Sequence, residues 1–275
     1  MVPVPGLPNG LGLRLPAPRG MWTRLDVVAS TGSTNADLLA RAAAEPAGPE
    51  GQVLVAEEQT AGRGRLGRSW SSVPGEALTF SVLLRPVTVP ADRRGWLPLL
   101  TGVAVVSAVR SVTGVGAALK WPNDVLVGER KLAGILAEQA PDASAVVIGT
   151  GLNVATPAES LPVSPSGLPA TSLLAEGAAA VSRTELLAAV LDEFGRRYAA
   201  FRADPDPEAT GLLAEYRALC ATLGKTVRAG LPLGRGLTGT AVGVDAGGRL
   251  LIAERPGDPP VPVSAGDVVH VRPAG

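Results

Sequence analysis

From Trp22 to Tyr216, apolar runs of strand length alternate with segments of helical period, and beyond Cys220 the helical period stops. A chain patterned this way must cover a sheet with helices and then add a small all-β unit. The fold class expected is therefore α+β. At 275 residues there is enough chain for one large domain and one small one.

Ser33, Thr34 and Asn35 supply cap candidates for the helical composition that follows, ADLLARAAAE. Residues 53–56 and 78–84 read as strands, and residues 97–112 as a buried helix with one glycine. Short strands are expected at 119–121, 125–127, 134–138 and 146–153, separated by PND, GER and PDAS turns. Ser182 and Glu185 form a capping box before a helix whose Leu187, Val190, Leu191, Phe194 and Tyr198 share one face. Strand candidates at 226–228, 239–242, 249–252 and 268–271 make a small C-terminal β-barrel. The boundaries expected are a disordered, proline- and glycine-rich leader over 1–21, a main domain over 22–218 and the barrel over 222–275.

Composition removes several classes of function. Lysine plus arginine equals aspartate plus glutamate at 25 each, so no global field recruits nucleic acid or anionic lipid. Cys220 is the one cysteine, which excludes an internal disulfide framework and fits a reducing cytoplasm. His270 is the one histidine, so a Ser-His-Asp triad or a multi-histidine metal site has little to work with. The leader lacks the apolar run of a secretory signal, and no stretch of membrane-spanning length is free of charges and breakers. A soluble cytoplasmic protein is expected.

The most unusual stretch is GRGRLGRSW, Gly62 to Trp70, with three glycines, three arginines and a tryptophan. Its first six residues fit GxGxxG, the dinucleotide-binding spacing. That motif needs a helix after the glycines, and here a Pro-Gly turn and a strand follow instead. Three arginines suit contact with phosphate or carboxylate. Three more motifs follow: KWPNDVLV from Lys120, KLAGILAE from Lys131 and IGTGLNV from Ile148. Taken singly, each has an ordinary reading. Ser33 and Thr34 cap a helix, Asn123-Asp124 after Pro122 makes a turn, and Gly149 and Gly151 permit a bulge or close backbone approach. Trp121 reads as core and His270 as structural. Trp70 reads as a core or strand-start aromatic, as an anchor for the loop's far end or as a platform for a base.

Together, STN, EEQTAGRGRLGRSW, KWPNDVLV, KLAGILAE and IGTGLNV resemble, in order and spacing, the catalytic domain of biotin protein ligases, also called biotin–acetyl-CoA-carboxylase ligases. The resemblance spans roughly residues 22–216, and the C-terminal strands resemble that family's SH3-like domain. It implies a mixed-sheet biotin/lipoate ligase-like fold and a two-step reaction. Biotin and ATP, with Mg2+, give biotinyl-5′-AMP and pyrophosphate; the acyl group then passes to a lysine of a biotin carboxyl carrier domain. Carried over, Ser33, Thr34, Asn35 and Gln59 face biotin. Arg63, Gly64 and Arg65 sit in a loop covering biotin and the adenylate, and Arg68 and Trp70 extend that loop toward the nucleotide. Lys131 contacts the reacting carboxyl and phosphate oxygens. Asn123 and Asp124 lie near the nucleotide and the incoming lysine, and Gly134, Gly151 and Asn153 line the remaining wall. Lys131, Arg65 and Asp124 are the expected catalytic set; the magnesium ligands and the oligomeric state stay unassigned. A lipoate or octanoate transferase shares the fold, but the arginine loop and KWPND favour the biotin branch. Bifunctional relatives carry a winged helix-turn-helix domain before the catalytic one; only the short leader precedes Trp22 here, so operator binding is expected to be absent.

Overall fold

The computed structural model describes residues 20–161, 167–178, 180–230, 236–264 and 268–270. The expected disorder of the leader lies, up to residue 19, outside them, as does the last residue of the strand expected at 268–271.

Seven strands form the main sheet: β1 (Arg24–Thr31), β2 (Gln52–Gln59), β3 (Ala77–Leu84), β4 (Ala117–Lys120), β5 (Asp124–Val127), β6 (Arg130–Gln139) and β7 (Val146–Asn153). Their order is β1-β2-β3-β7-β6-β5-β4. Only the β1–β2 pair is parallel, so the sheet is mixed, as expected. Every residue of β3 is buried, because this central strand is covered on both faces. Helix α1 (Thr34–Ala44) packs Leu38 and Ala42 on one face, against Leu54, Leu83 and Val147. Helices α2 (Trp96–Thr113) and α3 (Arg183–Ala203) cover the other face and hold the main core.

Helix α2 is long and apolar enough to cross a bilayer by length and composition, in spite of Pro98, Gly102 and Arg110. Here its apolar residues, from Trp96 to Val109, are buried in the protein. It stops at Gly114, whose φ of 72° is the left-handed conformation that terminates helices. The capping serine of α3 performs as its sequence requires: Ser182 accepts the Glu185 backbone N–H at 3.3 Å.

Three elements go beyond the sequence expectation. β1 carries Asp26, which interrupts its apolar run and is held by Arg24 and Arg41, each at 2.7 Å. Helix α4 (Leu212–Leu219) is one short amphipathic stretch after the left-handed Gly211; its Tyr216 meets Trp96 edge-on at 5.8 Å. The C-terminal unit adds β11 (Val261–Val263) to β8 (Thr226–Gly230), β9 (Gly236–Val244), β10 (Leu250–Ala253) and β12 (Val268–His270). Those five strands are antiparallel in the order β11-β10-β9-β8-β12. Among the described residues β11 and β12 do not pair, so closure of the expected barrel is not seen among them.

The small sheet is seated on the large domain by its β9–β10 turn. The Trp96 indole donates to Ala246 O at 2.9 Å and the Trp121 indole to Gly248 O at 3.0 Å. Gly248 adopts φ +81°, which lets the turn present that carbonyl. Trp121 is thus core, as its sequence context indicates, and specifically the core of the domain junction.

Candidate functional site

A cavity of about 350 Å3 opens along the sheet, within the range of sites for small organic ligands. Each site residue expected from the sequence lines it: Ser33, Thr34, Asn35, Gln59, Arg63, Gly64, Arg65, Arg68, Trp70, Asn123, Asp124, Lys131, Gly134, Gly151 and Asn153.

At the α1 end the walls are neutral and polar. Gln59 Oε1 accepts the Thr34 backbone N–H at 2.8 Å, satisfying one of the donors that the first turn of α1 leaves without an intrahelical partner. Ser33, at the N-cap position, makes no side-chain cap bond and is buried against the cavity. Ser33 thus does not act as the side-chain cap that its position in the sequence allows. Thr34 Oγ1 lies 2.6 Å from Ser81 Oγ, and Ser81 donates to Asn35 Oδ1 at 2.6 Å. Asn35 Nδ2 donates to Leu136 O and to Glu138 Oε2, so its amide braces the wall at both ends. Gly149 makes room for it: a Cβ there would stand 2.4 Å from Asn35 Oδ1.

The arginine loop arches over the middle as a small hairpin. Trp70 N donates to Gly62 O at 2.9 Å and Gly64 N to Arg68 O at 2.7 Å, with a bridge between Arg63 and Ser69. Leu66 at its tip is exposed with φ 58°, the left-handed region that costs a branched residue energy. Arg63 reaches Glu138 at 3.2 Å. The Trp70 side chain anchors the loop's far end. Its ring packs where a Cβ of Gly151 would come within 2.2 Å, and near Gly134. The Lys131 ammonium stands 5.9 Å from the ring centroid, a cation–π distance.

Beyond the loop the walls are charged. Asp124 on β5 takes Lys131 Nζ at 2.7 Å and Lys120 Nζ at 3.8 Å. The three side chains are 8%, 15% and 10% exposed, respectively. Lys120 is directly opposite Asp124 in the β4–β5 ladder, and Gly134 opposite it in β5–β6. The β5–β6 register shifts between Val125 and Leu126, so Leu126 faces Lys131 rather than Leu132. Strict alternation would put Lys131 and Gly134 on opposite faces. The bulge re-aims Lys131 onto the face shared by Asp124 and Gly134. Lys131 is therefore the second residue of β6, and its backbone is clamped further: Lys131 N donates to Pro169 O and Thr171 N to Lys131 O.

Arg65 donates to Asn123 Oδ1 at 3.1 Å, and Asn123 in turn donates to Ile135 O at 3.0 Å. Burial lowers the proton affinity of Arg65; Asp124 opposes this and Arg68 adds to it. Burial likewise lowers Lys120, opposed by Asp124 and reinforced by Lys131, Arg68 and Arg65. The region thus concentrates cations around one carboxylate, an arrangement that an anionic ligand completes. Asn153 donates to Thr171 O at 2.9 Å, holding the 167–171 segment across the same end.

Sequence reasoning passed over Lys120, Gly167, Leu168, Ala170 and His270, which also line the cavity. Lys120 opens a motif whose other residues drew the attention. His270 comes from the C-terminal sheet and reads in the sequence as structural.

Residues 27–153 match the family model described as "Biotin/lipoate A/B protein ligase family", and residues 222–271 the "Biotin protein ligase C terminal domain". A biotin--[acetyl-CoA-carboxylase] ligase of Mycobacterium tuberculosis is 48% identical over 254 residues, covering 91% of this chain and 90% of that protein. The bifunctional ligase/repressor BirA of Bacillus subtilis is 33% identical over 84% of this chain and 69% of its own length. Among solved structures, the biotin protein ligase from Aquifex aeolicus in complex with biotin and ATP superposes with a TM-score of 0.73 at 29% identity, covering 91% of this chain and 100% of that one.

Proposed function

This chain belongs to the biotin protein ligase family, and from that premise and the geometry of the cavity we propose that it is a biotin–[biotin carboxyl-carrier protein] ligase. It activates biotin with ATP as biotinyl-5′-AMP and transfers the acyl group to a lysine of a carboxylase carrier domain in the cytoplasm. The observation that carries this reading is the gradient inside one cavity: neutral hydroxyl and amide groups at the α1 end, buried cations around Asp124 further along.

A ureido ring offers donors and an acceptor but no charge, which Ser33, Thr34 and Gln59 can meet. A carboxylate extending from it arrives beside Lys131 and Arg65. When it attacks the α-phosphate, negative charge gathers at a point already surrounded by fixed cations in a desolvated site, where they stabilise most. Asp124 keeps those cations in place and, once the adenylate exists, offers a carboxylate to the incoming lysine ammonium. The arginine loop excludes water from the reactive acyl phosphate. Magnesium in this scheme arrives with the nucleotide phosphates.

The test is pyrophosphate release dependent on biotin, with and without an isolated carrier domain, alongside incorporation of biotin against lipoate. Release with biotin and acylation of the carrier by biotin alone is the expected result. Lipoate incorporation in its place would overturn the assignment.

A further inference from the structure

Lys120 is one of the cations around Asp124 but is given no ligand group of its own in the scheme above, and His270, which also lines the cavity, is given no role there. They come from different domains: Lys120 ends β4 and His270 ends β12. Along the sheet, β4 is at the opposite edge from β1 and β2, five strands from Gln59. A ligand whose neutral ring lies by Gln59 and whose carboxylate lies by Lys131 therefore places whatever comes next toward Lys120. Lys120 is buried there with its ammonium 3.8 Å from Asp124, a carboxylate already in closer contact with Lys131. His270 is fixed from behind: its Nε2 is 3.1 Å from Thr222 Oγ1, and Thr222 accepts the Trp121 backbone N–H at 3.0 Å.

We propose that Lys120 and His270 form a pyrophosphate subsite, holding the β- and γ-phosphates of the nucleotide and then the pyrophosphate that departs. The proposal rests on the ligase reading and specifies one end of its site. In adenylation a carboxylate oxygen bonds to the α-phosphorus while the bond from that phosphorus to the bridging oxygen breaks. The bridging oxygen keeps the electron pair and leaves on pyrophosphate, so charge builds where these two side chains stand. The groups facing His270 are Lys225 before β8, Lys120 on β4 and Glu129 in the β5–β6 turn. Burial first, then Lys225 and Lys120, push the ring down to about 4, with Glu129 opposing. The imidazole is therefore neutral at pH 7, and a polyanion beside it draws a proton onto the ring.

Calorimetric titration with magnesium pyrophosphate, ATP, AMP and biotin, in two buffers of different ionisation enthalpy, tests this on the full chain. In Lys120→Met and His270→Gln, affinity for pyrophosphate and ATP should fall about tenfold, one charge-assisted hydrogen bond, while AMP and biotin stay within about twofold. Proton uptake on pyrophosphate binding should vanish in His270→Gln, whose amide can still reach Thr222. Unchanged pyrophosphate and ATP affinity in both variants overturns the subsite, as does an equal loss for AMP and biotin, the mark of a collapsed pocket. A loss in one variant alone removes the other residue from it. Wild-type protein that releases no pyrophosphate with biotin and ATP would instead sink the ligase reading itself.

Discussion

Lys131 and Asp124 meet at 2.7 Å across the β5–β6 ladder, and they do so because a bulge turns Lys131 to the cavity face. A lysine near a strand start is ordinarily a solvated edge group, but this one is 15% exposed. Lys131→Ala should lower the adenylation rate by about two to three powers of ten, the effect of deleting one preorganised donor. It should cost about 1–3 kcal/mol of stability, because Asp124 stays buried with Lys120 farther away. Single-turnover pyrophosphate release and a denaturant midpoint separate the two effects. Supplying synthetic biotinyl-AMP then tests whether transfer survives. Wild-type adenylation in the variant would remove Lys131 from the chemistry.

Gly151 faces Trp70 so closely that a Cβ would fall 2.2 Å from Cε2 and 2.5 Å from Cζ2. No real contact is that short, and the fused ring cannot bend away, so Gly151→Ala should expel the indole that anchors the arginine loop. Protease cleavage within residues 62–70 should rise, and biotin affinity should fall by about tenfold or more as the loop loses its far support. Adding Trp70→Leu relieves the clash and should recover part of the affinity. Cleavage and affinity equal to wild type in Gly151→Ala would show that the loop does not depend on this packing.

Much of this site was legible in the sequence because its chemistry is written in short, contiguous motifs. Gly62 to Trp70, the KWPND turn, KLAG and IGTGLNV each bring several wall residues together on one loop or strand, so locating a motif locates its side chains. What escaped depends on relationships between segments. The bulge that aims Lys131 exists only when β5 and β6 are paired. His270 reaches the cavity only because the β9–β10 turn docks on Trp96 and Trp121, which no local pattern announces. β1 hid behind Asp26, whose charge breaks the apolar run but is neutralised by Arg24 and Arg41. The glycines of IGTGLNV were readable as permissive positions; which neighbours they admit, Asn35 and Trp70, was not.

Arg183 begins α3 and reaches Glu57 on β2 with both guanidinium nitrogens, at 2.5 and 3.3 Å, while also donating to Ala77 O. The pair is buried, with side-chain exposures of 11% and 7%, and it ties the covering helix to the sheet. Deleting one partner of such a pair leaves a desolvated charge poorly compensated, at a cost of about 3–5 kcal/mol. Arg183→Met should lower the unfolding free energy measured in urea by that much, while Arg183→Met/Glu57→Gln recovers a good part of it. A single variant as stable as wild type would mean that water reaches Glu57.

The last expectation concerns the pH dependence of folding, and it follows from His270 being the one histidine in the chain. In the unfolded chain it titrates near its ordinary 6.5; in the folded protein burial, Lys225 and Lys120 hold it at about 4. Between those values the unfolded state binds more protons, so stability rises with pH across the window and is lost as pH falls from 6.5 toward 4. The ring is only about half buried, so solvent screening cuts the effect to about 1–2 kcal/mol over the window. Thermal midpoints measured from pH 4 to 7 should therefore fall more steeply in acid for wild type than for His270→Gln, the curves converging near neutrality. Parallel curves would mean that the ring is solvated in the folded protein. An added polyanion at the subsite proposed above should flatten the wild-type slope, because it raises the folded-state proton affinity of the same imidazole.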